Sequence, residues 1–154
     1  PLQDGEWVQE FLAKLAPASA PVPKPEATDE EASADYVNTP FTLRELNSAL
    51  SNRSDSSPGK DNLSYGMLTN LPVIYKTKLL SFYNDFWFTG EFPPEWSEFV
   101  VVPIHKPGKE PNKADSYRPI SLASCLLKTF ERMIKCRLQW WIEHNNKLPP
   151  SQFG

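Results

Sequence analysis

Cysteine and histidine are scarce in this chain, with two of each among 154 residues. A structural zinc site needs several thiolate or imidazole ligands at close spacing, whereas here the histidines are far apart and each cysteine stands alone. Cys125 and Cys136 fall in one predicted helix, about 16 Å apart along its axis, so they cannot pair with each other. The sequence therefore predicts no metal site and a reducing, intracellular environment.

Long apolar runs are also absent, since no stretch approaches the roughly 18 residues that a transmembrane helix requires. We therefore predict no membrane association. The first residues, PLQDGEWVQEF, do not have the pattern of a signal peptide. They also lack an initiating methionine, which favours an internal piece of a longer protein.

Motifs for phosphate loops and activated nucleophiles are missing as well. The PGK runs at 58–60 and 107–109 have neither the earlier glycine nor the following Ser or Thr of a P-loop. No stretch resembles a nucleophile elbow. Composition alone makes both PGK runs turns.

Proline, by contrast, is abundant. It accounts for 16 of the 154 residues, whereas its usual share is about 5%.

Charge is unevenly distributed: the net charge is −3, but residues 104–137 carry eight basic and three acidic residues. Salt limits the reach of a charge to about 8–10 Å. A local basic stretch can therefore bind phosphate even though the whole chain is acidic.

Apolar periodicity and proline positions divide the chain into four predicted parts. These are a short amphipathic helix within residues 1–15, a Pro-rich acidic linker over 16–38, a helical segment over 39–95, and a β-hairpin with a long helix over 96–154. The predicted fold class is α+β and mostly helical, with a small antiparallel hairpin packed against helices.

Two helices in the third part have clear boundaries. Thr42 and Glu45 have the spacing of a capping box, and Phe41 and Leu46 that of a hydrophobic staple, which predicts a helix over about 43–52. A second helix is predicted from Pro72 to Gly90. Its apolar residues lie nearly all round, so we expect it to be buried.

The fourth part contains the long helix, over about 124–144. Its predicted apolar stripe runs through Phe130, the Met133–Ile134 pair and Leu138, with Lys128, Arg132 and Lys135 off the stripe.

A basic loop joins the two predicted strands of the hairpin. The strands lie near Val100 and over Tyr117–Leu122, and the basic residues are Lys106, Lys109, Lys113 and Arg118. An arginine fork binds phosphate bidentately or stacks on a base, and lysine supplies a mobile charge. Two interpretations stay open from the residues alone: a phosphate-binding hairpin and an ordinary solvated one.

Three stretches closely resemble the reverse transcriptases of LINE-type (non-LTR) retrotransposons, jockey-like elements in particular. They are SSPGKDNLSYGMLTNLP, the run from FTGEFPPEW through VVVPIHKPGKEPNKADSYRPISL to FERMIKCRL, and LPPSQFG. Their order and spacing match the family pattern, and the resemblance is weakest over residues 16–38. It implies the N-terminal extension and the fingers subdomain of a right-hand polymerase.

The resemblance also implies roles for single residues. Arg118 would contact the triphosphate of the incoming nucleotide or stack on its base, and Lys106 would be the accompanying phosphate ligand, with Lys109 or Lys113 as alternatives. Residues near the template or the nucleic-acid backbone would be Ser57, Gly59, Lys60, Lys128, Arg132 and Lys135, with Arg137 in the same role as the last three. For the helix residues, a solvent-exposed charged surface is the alternative. Asn62 replaces a glycine that is usual in relatives, and asparagine tolerates a left-handed backbone.

The catalytic centre of such a polymerase would lie outside this chain. The family holds Mg²⁺ on palm carboxylates beyond the QFG motif, and polymerase chemistry depends on two such metal ions. We therefore expect no catalytic residue, no bound metal and no polymerase activity in residues 1–154. The partners implied for the whole enzyme are RNA template, DNA primer and deoxynucleoside triphosphate, in the nucleus and cytoplasm.

Two other functions remain as alternatives. One is a domesticated remnant that binds protein or nucleic acid, and the other is a helical interaction domain that shares only ancestry with polymerases. Without a palm, exposed aromatic residues would favour a protein partner or self-association. The candidates are Trp87, Trp96, Trp140 and Trp141.

Overall fold

The computed structural model describes residues 6–15, 35–51 and 56–147. Most of the predicted linker and the closing LPPSQFG stretch lie outside the described residues. The helices are α1 (Glu6–Leu15), α2 (Asp35–Asn38), α3 (Leu43–Leu50), α4 (Tyr65–Thr69), α5 (Val73–Thr89) and α6 (Cys125–His144), and the strands are β1 (Val100–His105) and β2 (Tyr117–Leu122). The two strands form one antiparallel sheet, so the mostly helical α+β class is confirmed. The finer assignment to a fingers subdomain stays a prediction.

The chain forms two compact units. The first combines residues 1–30 with 101–121, and the second combines 31–100 with 122–154. Within the described residues, α1 and most of the hairpin belong to the first unit, and the other helices belong to the second. The division of the sequence into four successive parts stays a prediction.

The core of the second unit forms where α3, α5 and α6 meet. Leu46, Tyr83 and Phe130 are at most 1% exposed, and the rings of the last two stack with centroids 5.3 Å apart. The Tyr83 hydroxyl donates a hydrogen bond to the Leu126 carbonyl at 2.8 Å, which satisfies the polar end of a buried ring.

The start of α3 confirms the predicted capping box. The Thr42 amide donates to the Glu45 carboxylate at 2.8 Å, and the Glu45 amide donates to the Thr42 hydroxyl at 3.3 Å. The staple residues Phe41 and Leu46 are both buried in the same core. This local pairing fixes where the helix begins.

The prediction that α5 is buried is wrong. The predicted bounds agree with the structure, since Gly90 ends the helix with φ +69°, but among its residues only Tyr83 is fully buried. One face packs on the core, and the other presents apolar side chains to solvent. The exposed large apolar residues are Val73, Ile74, Tyr75, Phe82 and Phe88.

The predicted apolar stripe of α6 needs a similar correction. Phe130 and Met133 are buried as predicted, but Leu138 is 49% exposed and Arg137 is 2% exposed. Arg137 lies seven residues after Phe130, so it falls on the same helical face. The residue that continues the stripe into the core is therefore a charged one.

The tryptophans are mostly sheltered. Trp87 and Trp96 pack against the core of the second unit, and Trp141 is half-buried. Only Trp140 of the four candidates is exposed, at 45%.

Among the residues that the structure describes, no helix has the length and apolar character needed to span a bilayer.

Candidate functional site

The loop of the basic hairpin begins with a short turn. The Lys106 amide donates to the Ser116 carbonyl at 2.7 Å, and the Lys109 amide donates to the Lys106 carbonyl at 3.3 Å. Gly108 has φ +74°, a left-handed angle that glycine adopts without steric cost. The PGK run at 107–109 is therefore a turn, as its composition predicts.

The four basic residues of the hairpin differ in what they contact. The Lys106 ammonium donates to the Asp115 carbonyl at 2.7 Å, and the Lys113 ammonium pairs with Glu110 at 2.7 Å. Lys109 and Lys113 line one shallow cavity of about 370 Å³, together with Gly108, Glu110, Asp115 and Ser116. The two carboxylates there offset part of the positive charge.

Arg118 is the exception among them. Its side chain is exposed and has no hydrogen bond or ion pair with any other described residue. Side chains alternate between the two faces of a strand, and the preceding Tyr117 is buried at 8% exposure. Arg118 therefore extends from the face opposite the one that packs.

The loop before α4 is tied to the start of α6. The Ser124 hydroxyl donates to the Asp61 carboxylate at 2.5 Å and accepts from the Leu126 amide at 3.1 Å, so it caps α6. Gly59 is buried beneath this contact, and a Cβ there would lie 2.6 Å from the Ser124 nitrogen. Asn62 has φ 56°, so the predicted left-handed turn is confirmed.

The other two loop residues assigned to the template lie on the surface. Ser57 is exposed, and the Lys60 ammonium forms an ion pair with Glu98, a hydrogen bond that raises the pKa of Lys60. Lys60 and Asp61 line a cavity of about 390 Å³. Its other lining residues are Pro93, Glu95, Trp96, Glu98, Ser124 and Leu126.

The basic residues of α6 come together as their spacing predicts. Lys128, Arg132 and Lys135 line an open groove of about 670 Å³, with Tyr65, Glu131, Cys136 and Gln139. Positions four and seven residues after the first share one helical face. Within the described part of the chain, no group of three or more His, Cys, Asp or Glu side chains could hold a metal ion.

Arg137 does not belong to that groove, which corrects its expected role on a phosphate backbone. Its guanidinium donates to both carboxylate oxygens of Glu45, at 2.7 and 3.0 Å. Burial by itself raises the pKa of Glu45, but hydrogen bonds from Arg137 and Thr42 outweigh it and hold the pKa below its ordinary value. The charges of Arg137 and Glu45 therefore pair with each other within the fold, and the Arg137 guanidinium is not available to a phosphate.

Sequence reasoning also missed the acidic residues that accompany the basic ones. Glu98 pairs with Lys60, Glu110 with Lys113, and Glu131 lies in the groove of α6. The second pair joins residues three apart in a loop, where helical spacing rules do not apply. The first joins residues 38 apart, and no local pattern reports such a contact.

Comparisons with known proteins agree with the resemblance in the motifs. No protein-family model matches the chain. It is 42% identical over 98 residues to the probable RNA-directed DNA polymerase from transposon BS of Drosophila melanogaster, which covers 64% of this chain and 11% of that protein. It is 32% identical over 130 residues to the RNA-directed DNA polymerase from mobile element jockey of the same species, covering 78% and 14%.

A third relative matches nearly the whole chain. The probable RNA-directed DNA polymerase from transposon X-element of Drosophila melanogaster is 31% identical over 157 aligned positions, covering 94% of this chain and 17% of that protein. The chain thus spans 11 to 17% of the length of these relatives. It belongs to the family of RNA-directed DNA polymerases found in jockey-like and other non-LTR transposons.

Proposed function

We propose that this chain is the N-terminal extension and fingers portion of an RNA-directed DNA polymerase, and that its hairpin binds the incoming deoxynucleoside triphosphate. Homology to polymerases over most of the chain supports the parent activity. The observation that carries the nucleotide-binding role is Arg118, an exposed guanidinium on β2 without a partner among the described residues.

The position of Arg118 suits a phosphate ligand. Its neighbour Tyr117 is buried, and Pro119 has a restricted backbone, so the strand around Arg118 is constrained. The guanidinium does not have to break an ion pair with a described residue before it binds. Its planar fork can then make two parallel hydrogen bonds to phosphate oxygens.

The lysines of the hairpin can contribute at low cost. Lys106 uses one of three ammonium donors on the Asp115 carbonyl, so two remain for a phosphate. The Lys113–Glu110 pair is mostly exposed, with side-chain exposures of 69% and 73%. Exposed pairs contribute about 0–1 kcal/mol, so a triphosphate can displace the carboxylate.

We assign the groove of α6 to the template backbone. Lys128, Arg132 and Lys135 line it together, and neutralising phosphates with such residues gives sequence-independent binding. Mg²⁺ would be held by palm carboxylates of the longer polymerase, where it would activate the primer hydroxyl. In this proposal the chain binds and orients the nucleotide and the template and does not itself catalyse the reaction.

The nucleotide-binding role is tested by Arg118→Ala in the whole chain. We expect its affinity for a labelled deoxynucleoside triphosphate, measured by fluorescence anisotropy, to fall about tenfold to hundredfold, because a charge-assisted bond to phosphate is lost. Arg44→Ala is the matched control, since Arg44 is exposed on α3 in the second unit. Equal weakening by both variants would indicate general charge loss and contradict the proposal.

The exposed apolar face of α5 favours one alternative, a remnant that binds a protein partner or itself. Its five exposed residues include two phenylalanines, Phe82 and Phe88, and exposed apolar patches often mark interaction sites. A wild-type chain that binds neither nucleotide nor RNA but dimerises in sedimentation velocity would favour this alternative.

A further inference from the structure

Helix α1 packs its aromatic residues on the hairpin within the first unit. The Trp7 ring stacks on the Tyr117 ring with centroids 4.4 Å apart and planes 6° apart. The Phe11 ring meets Tyr117 edge-on at 6.4 Å and is 7% exposed. Phe11, Ala114 and Tyr117 form a small buried cluster with Trp7 against it.

The end of α1 is attached to the same hairpin by charge. The Lys14 ammonium lies 3.0 Å from the Asp115 carboxylate and 2.9 Å from Glu10 one helical turn earlier. Hydrogen bonds to Glu10 and Asp115 raise the pKa of Lys14. The contact joins residues 101 positions apart, so the aromatic and the ionic contacts both bring a distant helix onto the hairpin.

The residues that α1 contacts are neighbours of the proposed phosphate ligands. Tyr117 precedes Arg118 in β2, and its hydroxyl donates to the Pro111 carbonyl at 2.9 Å across the loop. Asp115, the partner of Lys14, also supplies the carbonyl that holds the Lys106 ammonium. Displacing α1 would therefore remove the contacts that hold Tyr117, next to Arg118, and Asp115, whose carbonyl binds Lys106.

Neither α1 nor the hairpin has the size to be stable alone. A helix of ten residues is shorter than the ~12–15 residues at which isolated helices become even marginal in water. A two-stranded hairpin alone is also marginal at best. Packing the aromatic face of α1 on Tyr117 gives both elements a shared core.

We propose that α1 is a positioning helix for the nucleotide-binding hairpin. In this proposal the Trp7 ring, stacked on Tyr117, keeps the backbone of the hairpin ordered. The proposal rests on the proposed function of the hairpin. It implies that the affinity for the triphosphate depends on a segment that contributes no phosphate ligand, because the aromatic residues of α1 hold Tyr117, the neighbour of Arg118, in place. Trp7 is thus a positioning residue.

The test compares three variants of the whole chain. Trp7→Ala removes the stacked ring, Trp7→Phe keeps an aromatic ring, and Leu12→Ala is the matched control because Leu12 is 51% exposed on the same helix. Hydrogen exchange of backbone amides in the hairpin and in α6 is measured for each, together with the affinity for a labelled deoxynucleoside triphosphate.

For Trp7→Ala we expect exchange in the hairpin about tenfold faster, exchange in α6 unchanged, and affinity for the triphosphate several-fold lower. Trp7→Phe should restore most of the exchange protection of the hairpin and most of the affinity for the triphosphate. Leu12→Ala should match the wild type in both. Unchanged exchange in the hairpin would overturn the proposal. So would equal loss of protection in α6, or faster exchange with full affinity.

These outcomes separate the two proposals. If the wild-type chain does not bind the triphosphate, the proposed function fails. Exchange in Trp7→Ala still decides whether α1 orders the hairpin. If the wild-type chain binds and only Arg118→Ala weakens binding, the proposed function stands and the positioning role of α1 is wrong.

Discussion

Arg137 is a charged residue in the interior of the second unit, 2% exposed. Besides its two bonds to Glu45, it donates to the carbonyls of Val37, Thr39 and Pro40. Its guanidinium carbon also lies 4.0 Å from the centre of the Phe41 ring. A buried charge is tolerated only when paired and fully hydrogen-bonded, and here one side chain holds α6, α3 and the residues before α3 together.

We predict that Arg137→Met destabilises the chain by about 3–5 kcal/mol, because it leaves the Glu45 carboxylate without its charged partner and removes the Arg137 donor from three carbonyls. The free energy of unfolding from urea titration measures this. The control is Arg132→Met on the same helix, which should stay within about 0.5 kcal/mol of the wild type. Similar losses in both variants would show that Arg137 acts only through general helix effects.

The special role of Arg137 had a partial signal in the sequence. It lies seven residues after Phe130, on the apolar stripe, where a charged residue needs a partner. The capping-box residue Glu45 was visible too, because its spacing from Thr42 is local. The pairing of Arg137 with Glu45 could not be predicted, because the two residues are 92 positions apart. Helical periodicity shows which face of a helix is apolar but not which helices pack together.

At the scale of elements, the loop over residues 58–61 fits closely against the first turn of α6. A Cβ at Gly59 would approach the Ser124 nitrogen to 2.6 Å and the Ala123 carbonyl carbon to 2.8 Å. Both are backbone atoms, so they cannot rotate away. Gly59 therefore has a packing role that accounts for its residue type without a template contact.

We predict that Gly59→Ala lowers the free energy of unfolding by about 1–3 kcal/mol, because the added methyl group overpacks a rigid contact. The urea midpoint measures this, and amide shifts of Ser124 and Leu126 should report movement at the start of α6. Ser57→Ala is the control, since Ser57 is exposed in the same loop. A midpoint equal to that of the wild type would show that the loop can move away.

Element boundaries were largely predictable because they depend on neighbours in sequence. The capping box begins α3, and Pro72 and Gly90 flank α5. The hairpin strands followed from an apolar run on each side of a basic loop. The burial of α5 was not predictable. Apolar residues all round a helix show which side chains could be buried, but not how much of the helix surface packs against other elements.

At the scale of the whole molecule, the pairing of distant segments was beyond sequence reasoning. The pattern of α1 predicted an amphipathic helix but did not indicate which part of the chain its apolar face packs against. The structure puts that face on Tyr117, in a unit that combines residues 1–30 with 101–121. Of the basic residues predicted on α6, Lys128, Arg132 and Lys135 line one groove as their helical spacing indicates, whereas Arg137 is buried.

The stability of the whole chain should depend on the pH through Glu45. Its pKa lies below the ordinary value of 4.5 in the folded chain, so the unfolded chain binds a proton at a higher pH than the folded one does. The stability that the carboxylate contributes is then complete above the ordinary value and is lost as the pH falls through the folded pKa. The loss therefore begins near pH 4.5 and continues below it.

We predict that Glu45→Gln flattens this acid slope while lowering stability at neutral pH, since an amide cannot form the ion pair with Arg137. Urea titrations at a series of pH values from about 6 down to 3 measure the slope. Asp115→Asn is the control: Lys14 lowers the pKa of Asp115 too, but that pair is exposed, so salt should weaken its effect. If Glu45→Gln keeps the wild-type slope at high salt, other carboxylates cause the acid sensitivity and the Arg137 contact is not its source.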